Sequence, residues 1–137
     1  MTSLLNSSRG RLFVIDDLQA WAIRQVRALG FNTEGEPKKG KPTVFVEQLT
    51  SEPISGMVCA DTYDVSLVFS IESRSSSADE AIGVAREISE GLDFDDAPFG
   101  INNRSFYCTI ESTEQDGNGL IYKRPMRLEM EITHKFI

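Results

Sequence analysis

The sequence predicts one α+β domain in which an antiparallel or mixed β-sheet of about four strands carries two helices packed on one face. Two long segments alternate apolar and polar residues, as strands with one buried face do, and two others repeat apolar residues at helical spacing. The chain has 137 residues, of which 40% are hydrophobic and 26% charged, and this suits a single domain over residues 1–137 with one core.

A first helix is predicted after an N-terminal tail at residues 1–10. Asp16 is a favourable N-cap with Gln19 as its capping-box partner, and Gly30 is a favourable residue to end the helix. The run at residues 12–15 either extends this helix or forms a short strand. The apolar stripe of the helix consists of Leu18, Trp21, Ala22, Val26 and Leu29.

Two strands are predicted in the first half of the chain, at residues 43–49 and 58–73, with a loop between them that contains Pro53 and Gly56. The second strand exceeds the usual length of about six residues, so it either projects beyond the domain or bends at a bulge. Its alternation assigns to one face Tyr63, Val65, Leu67, Phe69 and Ile71.

A second helix is predicted at residues 78–92. Ser77 is a strong N-cap because Glu80 follows three residues later and completes a capping box. The apolar stripe should lie on the buried face of the sheet. It consists of Ala78, Ala81, Ile82, Ala85, Ile88 and Leu92.

The C-terminal third is predicted to hold a turn-rich connection at residues 93–104 and two strands at 105–112 and 120–136. Residues 114–119 contain Asp-Gly and Asn-Gly pairs, which favour the positive φ angles of hairpin turns. The polar face of the long strands is either solvated or an assembly surface. It includes Ser66, Ser70, Glu72, Glu129 and Glu131.

The loop at residues 32–42 and the hairpin tip at 114–119 are predicted to be mobile, since both are polar, carry glycine and show no core anchor. We expect at least one of them to contact a neighbouring subunit or another protein of the assembly, and to become ordered on assembly. The alternative is that both stay solvated. The candidate interface residues are Lys38, Lys39 and Lys41 on the loop, with Glu114 and Asp116 on the tip.

The net charge of −7 repels phosphate, so it argues against a nucleic-acid platform and against an anionic membrane surface. No apolar stretch reaches the length of a membrane span, and residues 1–8 lack a signal-peptide pattern, so we expect synthesis inside the cell. Cys59 and Cys108 lie in apolar, strand-like runs and are predicted to be buried free thiols. A disulfide between neighbouring strands is the alternative.

No catalytic, cofactor-binding or metal-binding residues are predicted. His134 is the only histidine, and nothing in the sequence indicates a nucleophile or a metal ligand to accompany it. Asp93, Asp95 and Asp96 could bind a hard cation, but a solvated turn that ends the second helix is the stronger interpretation.

The order of elements resembles that of the tail terminator, or tail completion, proteins of long-tailed bacteriophages. The similarity lies in YDVSLVFSIESRSSSADEAIGVAREISEGL at residues 63–92, where a long alternating strand, a Ser-rich turn and an Ala-rich helix follow one another. It continues through a Gly/Asp hairpin into the strand MRLEMEI at residues 126–132. These motifs are patterns of hydrophobicity, and they contain no invariant signature.

The resemblance implies a structural protein of the virion and not an enzyme. Such a subunit forms a homo-oligomeric ring, expected to be a hexamer, which ends the tail tube and contacts the tail tube protein and the head–tail connector protein. DNA would pass through the lumen without specific binding, and the tail tube is the other protein that the loop or the hairpin tip is expected to contact. The alternatives are another neck or minor capsid protein and an oligomeric enzyme that binds a small molecule.

Overall fold

A computed structural model describes residues 18–53, 62–75 and 77–134. It contains two helices and an open five-stranded sheet in which every strand pair is antiparallel. In chain order the elements are helix α1 (18–28), β1 (Thr43–Pro53), β2 (Thr62–Ser73), α2 (Asp79–Gly91), a 3-10 turn (Phe94–Asp96), β3 (Phe99–Cys108), β4 (Ser112–Asp116) and β5 (Gly119–His134). The predicted α+β class is confirmed.

The strand order is β1-β2-β5-β3, with β4 also paired to β5. β3 and β4 lie end to end along β5, so together they form one outer strand that is interrupted at residues 109–111. The pairing continues partly through the interruption, because the Thr109 N–H donates to the Pro125 carbonyl at 3.1 Å. β1 is therefore one edge of the sheet, and β3 with β4 is the other.

One core lies between the helices and one face of the sheet. Both helices contribute to it, with Trp21 from α1 and Ile88 from α2 fully buried. The predicted alternation of the long strand is confirmed, since Val65, Leu67, Phe69 and Ile71 are all buried. In the second half of β5 the buried residues alternate in the same way, and they are Met126, Leu128, Met130 and Ile132.

α2 has the predicted position but differs from the prediction in two details. Val84 is buried and Ile82 is 36% exposed, so the apolar stripe is rotated from the predicted one. The N-cap is Ala78 and not the predicted Ser77, and no side chain caps the helix, although the Ser77 hydroxyl accepts the N–H of Asp79 at 3.1 Å. The capping box does not form in the predicted way, because the Glu80 carboxylate accepts a hydrogen bond from the Ser73 hydroxyl at the end of β2.

The last strand begins within one residue of its predicted start, but two other predicted boundaries in the C-terminal third were wrong. β3 begins at Phe99, inside the predicted turn-rich connection, and the predicted hairpin tip is mostly strand up to Asp116. The tight turn is confined to residues 117–118, and Gly119 has the positive φ of 114° that such a turn requires. Gly30 ends α1 as predicted, with a φ of 97°.

Cys108 is exposed, so the prediction of a buried thiol was wrong for this residue. It sits on the edge strand β3, and none of the described strands lies on one side of it. Several predictions fall on residues outside the described ranges: the N-terminal tail, the run at 12–15, the Asp16 cap, Cys59 and the last residues of the chain.

Neither described helix is long and apolar enough to cross a membrane.

Candidate assembly surface

Arg74 joins the two segments that were predicted to be interface loops. It follows β2 directly, and its guanidinium donates to both carboxylate oxygens of Asp116, at 2.8 and 2.9 Å. Its Nε donates to the carbonyl of Pro37 at 3.0 Å. This bidentate geometry orients the guanidinium, and it links the loop at 32–42 to the hairpin tip within one chain. We call this group of contacts the Arg74 clamp.

The clamp changes the ionisation of Asp116. The hydrogen bonds from Arg74 lower the pKa of this carboxyl from 3.8 to about 2, and the backbone N–H of Asn118 adds to the effect at 2.8 Å. The same hydrogen bonds raise the pKa of Arg74. Asp116 is therefore ionised throughout the neutral range, and its negative charge is already paired with Arg74 of the same chain.

The loop at 32–42 has anchors that the sequence did not reveal. Pro37 is buried, and its carbonyl is held by the clamp. Lys38 and Lys41 exchange backbone hydrogen bonds of 3.0 and 2.8 Å, and the Asn32 carbonyl accepts from Val44 at 2.8 Å. These contacts define the path of the loop, while its mobility stays a prediction.

The five predicted interface residues fall into two groups. Lys38, Lys39 and Lys41 are exposed and form no ion pair with the residues that the structure describes. Glu114 pairs with Lys123 of β5, and Asp116 pairs with Arg74. A contact between the lysines and the acidic tip of a neighbour stays a prediction, but both carboxylates already have partners in their own chain.

The sheet face opposite the core is polar. On it, Arg127 forms an ion pair with Glu129 at 3.2 Å and donates to the Ser66 hydroxyl at 3.2 Å, while the Tyr107 hydroxyl donates to Glu129 at 3.2 Å. A shallow cleft beside this network is also lined by Asp64 and Glu131. We call this surface the bare face, because neither described helix packs on it. Its carboxylates outnumber its cations around the cleft, so the cleft is acidic.

The edge formed by β3 is the feature that the sequence did not predict. Most of β3 is exposed, and beside it Tyr107 is 46% and Ile110 is 89% exposed. A groove runs between this edge and α2, lined on its apolar side by Ile82, Phe106 and Met126. The sequence does show Ile110 as an apolar residue within the polar run TIEST. Whether its side chain is exposed, however, depends on where β3 ends.

The acidic cluster after α2 forms a turn, in agreement with the stronger interpretation. The Asp93 carboxylate accepts the N–H of Asp95 at 3.1 Å, and Gln25 of α1 donates to Asp96 at 3.2 Å and accepts from the Asp93 N–H at 3.0 Å. Within residues 18–53, 62–75 and 77–134, no group of three or more His, Cys, Asp or Glu side chains is placed to hold a metal ion. The side chain of His134 lies outside the described part.

No protein-family model matches this sequence, and no curated protein is significantly similar to it.

Proposed function

We propose that this protein is the structural subunit of a ring that terminates a bacteriophage tail tube and joins it to the head connector. The similarity of residues 63–92 and 126–132 to the tail terminator pattern is the starting point. The observation that carries the proposal is the exposure of Tyr107 and Ile110 at the β3 edge of the sheet. The core face of the same sheet is covered by the helices. Exposed apolar residues beside an open strand edge are typical of surfaces that contact another protein.

The charges of the subunit are consistent with a channel for DNA. The chain has a net charge of −7, and the cleft of the bare face is lined by Asp64, Glu129 and Glu131. An acidic wall repels phosphate, so DNA would pass such a wall without binding to it. The exposed lysines of the loop at 32–42 are then available for acidic groups on the tail tube or the connector.

Light scattering coupled to size-exclusion chromatography tests the proposal. Six copies of the 15.3 kDa chain have a mass of about 92 kDa. We expect this species at high protein concentration, or on tail tubes from the phage that encodes the chain, where electron micrographs should show a ring at one end of the tube. A protein that remains monomeric at every concentration, and does not bind tubes, would contradict the proposal.

A further inference from the structure

We propose that the turn at residues 38–41 of one copy, which carries three lysines, binds the acidic cleft on the bare face of a second copy. We call these residues the lysine turn. The inference rests on the assembly proposed above and names a contact between copies that would build it. A neighbouring copy, and not the tail tube, then supplies the acidic groups that these lysines meet.

Two carboxylates face each other in the cleft of the bare face. Asp64 of β2 lies directly opposite Glu131 of β5 in the strand register, and both residues line the cleft. Neither forms an ion pair with the described residues. Like charges directly opposite each other in a sheet are destabilising. A cation bound between these two carboxylates would remove the repulsion, so the cleft favours a cationic occupant.

The arginines near the cleft are engaged elsewhere. Arg127 pairs with Glu129 at 3.2 Å, and the guanidinium of Arg104 lies 4.1 Å from the centre of the Phe94 ring. Within residues 18–53, 62–75 and 77–134, no group of three or more possible ligands is placed to hold a metal ion. A cationic side chain from another molecule therefore suits the cleft better than a metal ion does.

The cleft has room and an aromatic wall for a lysine side chain. Its volume is about 370 Å³, and Tyr107, which is 46% exposed, is part of its lining. The Tyr107 hydroxyl donates to Glu129, and this hydrogen bond orients the ring. A lysine packs its methylene groups along such a surface while its ammonium stays with carboxylates and water. The ring itself also attracts a cation.

The lysine turn has a defined backbone. Lys38 and Lys41 exchange backbone hydrogen bonds of 3.0 and 2.8 Å, so Lys39 and Gly40 form the tip of a tight turn. Gly40 has a φ of 75°, a conformation that favours glycine. The clamp holds the carbonyl of Pro37, directly before the turn. A turn that is formed before it binds loses less conformational freedom in the contact.

The charges of the two surfaces are complementary. The three lysines are exposed and form no ion pair with the described residues. The acidic tip of the hairpin is the competing acidic surface, but Glu114 and Asp116 have partners within their own chain. The contact uses charges that each copy carries, so the net charge of −7 per copy, which repels DNA, is unchanged.

The lysine turn and the cleft lie at opposite ends of the sheet. β2 runs from Val65 in the cleft to Ser73 beside the clamp, and at about 3.3 Å per residue this separates them by about 26 Å. The turn therefore does not reach the cleft of its own chain. Because the two surfaces are separate, the same contact can be repeated from copy to copy around a ring. A dimer in which each turn enters the other cleft is the competing arrangement.

Reversing the charges of one surface at a time tests the inference. The turn variant carries Lys38→Glu and Lys39→Glu, and the cleft variant carries Asp64→Lys and Glu131→Lys. None of the four side chains forms an ion pair with the described residues, so neither variant breaks one within its own chain. The cleft variant also keeps like charges opposite each other, as in the wild type. Thermal unfolding checks that both variants are folded.

The matched control carries Arg24→Glu and Arg86→Glu. These substitutions change the net charge as much as the turn variant does, at two exposed positions on the helices. All samples are measured by light scattering coupled to size-exclusion chromatography, with and without EDTA. Association of the wild type that is lost with EDTA would indicate a metal ion in the cleft and overturn the inference.

Each variant alone should need at least about tenfold more protein than the wild type to associate, since like charges then meet at every contact. An equal mixture of the two should associate as the wild type does. In the mixture the reversed turn fits the reversed cleft, and the two unchanged surfaces fit each other. The control should also associate normally. Normal association of either variant alone, or a mixture that fails to associate, would overturn the inference.

The measured mass separates the inference from the proposed function. A restored species of about 92 kDa, six times 15.3 kDa, supports both. A restored dimer of about 31 kDa, twice 15.3 kDa, supports the contact and contradicts the ring. A turn variant that forms rings but no longer binds tail tubes would assign the lysines to the tube, which overturns the inference and leaves the function in place. A wild-type protein that is monomeric under all conditions removes both.

Discussion

Strand β2 shows the two faces of the sheet side by side, because neighbouring residues of a strand point in opposite directions. Phe69 and Leu67 point into the helix-covered core and have no exposed surface. Asp64 is exposed on the bare face, and Val68 and Ser70 there are only half-buried. The core side is closed by apolar side chains from both helices, whereas the bare side is organised by hydrogen bonds and ion pairs around Arg127 and Arg74.

This difference has an energetic consequence. Apolar groups that are fully removed from water contribute in proportion to their buried area, whereas exposed ion pairs contribute little. The covered face should therefore determine whether the domain folds. The bare face and the clamp should determine the local position of the loop at 32–42 and of the hairpin, and so the shape that a partner meets.

The largest difference in the free energy of unfolding is expected between substitutions at two neighbouring residues of β2. Phe69→Ala removes a fully buried ring from the core and should lower the free energy of unfolding by about 3–5 kcal/mol. Val68→Ala on the half-buried face should cost less than about 1 kcal/mol. Chemical denaturation of the two variants measures both values. Similar losses in the two variants would mean that the faces are not energetically distinct.

A second pair of substitutions makes the same comparison on α2. Ile88 is fully buried, so Ile88→Ala should destabilise the protein by about 2–4 kcal/mol. Ile82 is 36% exposed beside the β3 groove, so Ile82→Ala should cost less than about 1 kcal/mol in the isolated subunit. If Ile82→Ala lowered the free energy of unfolding more than Ile88→Ala does, α2 would have to be rotated so that Ile82 is buried, as the sequence predicts.

The Arg74 clamp should have a smaller effect on global stability than either core substitution. Arg74→Ala removes the bonds to Asp116 and to the Pro37 carbonyl, so amide hydrogen exchange should become faster across residues 32–42. Arg24→Ala is the control, since Arg24 is exposed on α1 and forms no ion pair with the described residues. Unchanged exchange in the loop after Arg74→Ala would show that Pro37 and the backbone contacts hold the loop without the clamp.

The smallest expected effect is the pH dependence of the clamp. The pKa of Asp116 is about 2 in the folded chain against an ordinary value of 3.8. Because the folded value is lower, the clamp stabilises the protein fully above pH 3.8 and loses this contribution as the pH falls towards 2. Comparing the denaturation midpoints of wild type and Asp116→Asn from pH 2 to 6 measures it. The difference between the two proteins should shrink below pH 3.8, and a constant difference would contradict the assignment.

Local chemistry was sufficient to predict several elements. The alternation in β2 and in the second half of β5 placed the buried apolar residues of residues 65–71 and 126–132 correctly, since a strand with one covered face shows its period directly in the sequence. Gly30 ended α1 as predicted because few other residues adopt its positive φ. No catalytic motif is recognisable in the sequence, which favours a structural or binding protein, and this remains a prediction.

Tertiary structure decided what lies beside each element. Arg74, Asp116 and Pro37 are far apart in sequence, and no local pattern shows that a guanidinium links them. The rotation of α2 that exposes Ile82 and buries Val84 depends on how the helix crosses β2 and β5. The start of β3 at Phe99 was missed because its weak strand pattern is compensated by pairing with β5. Helical and strand periods are local properties, whereas open edges, grooves and clamps arise only when distant segments meet.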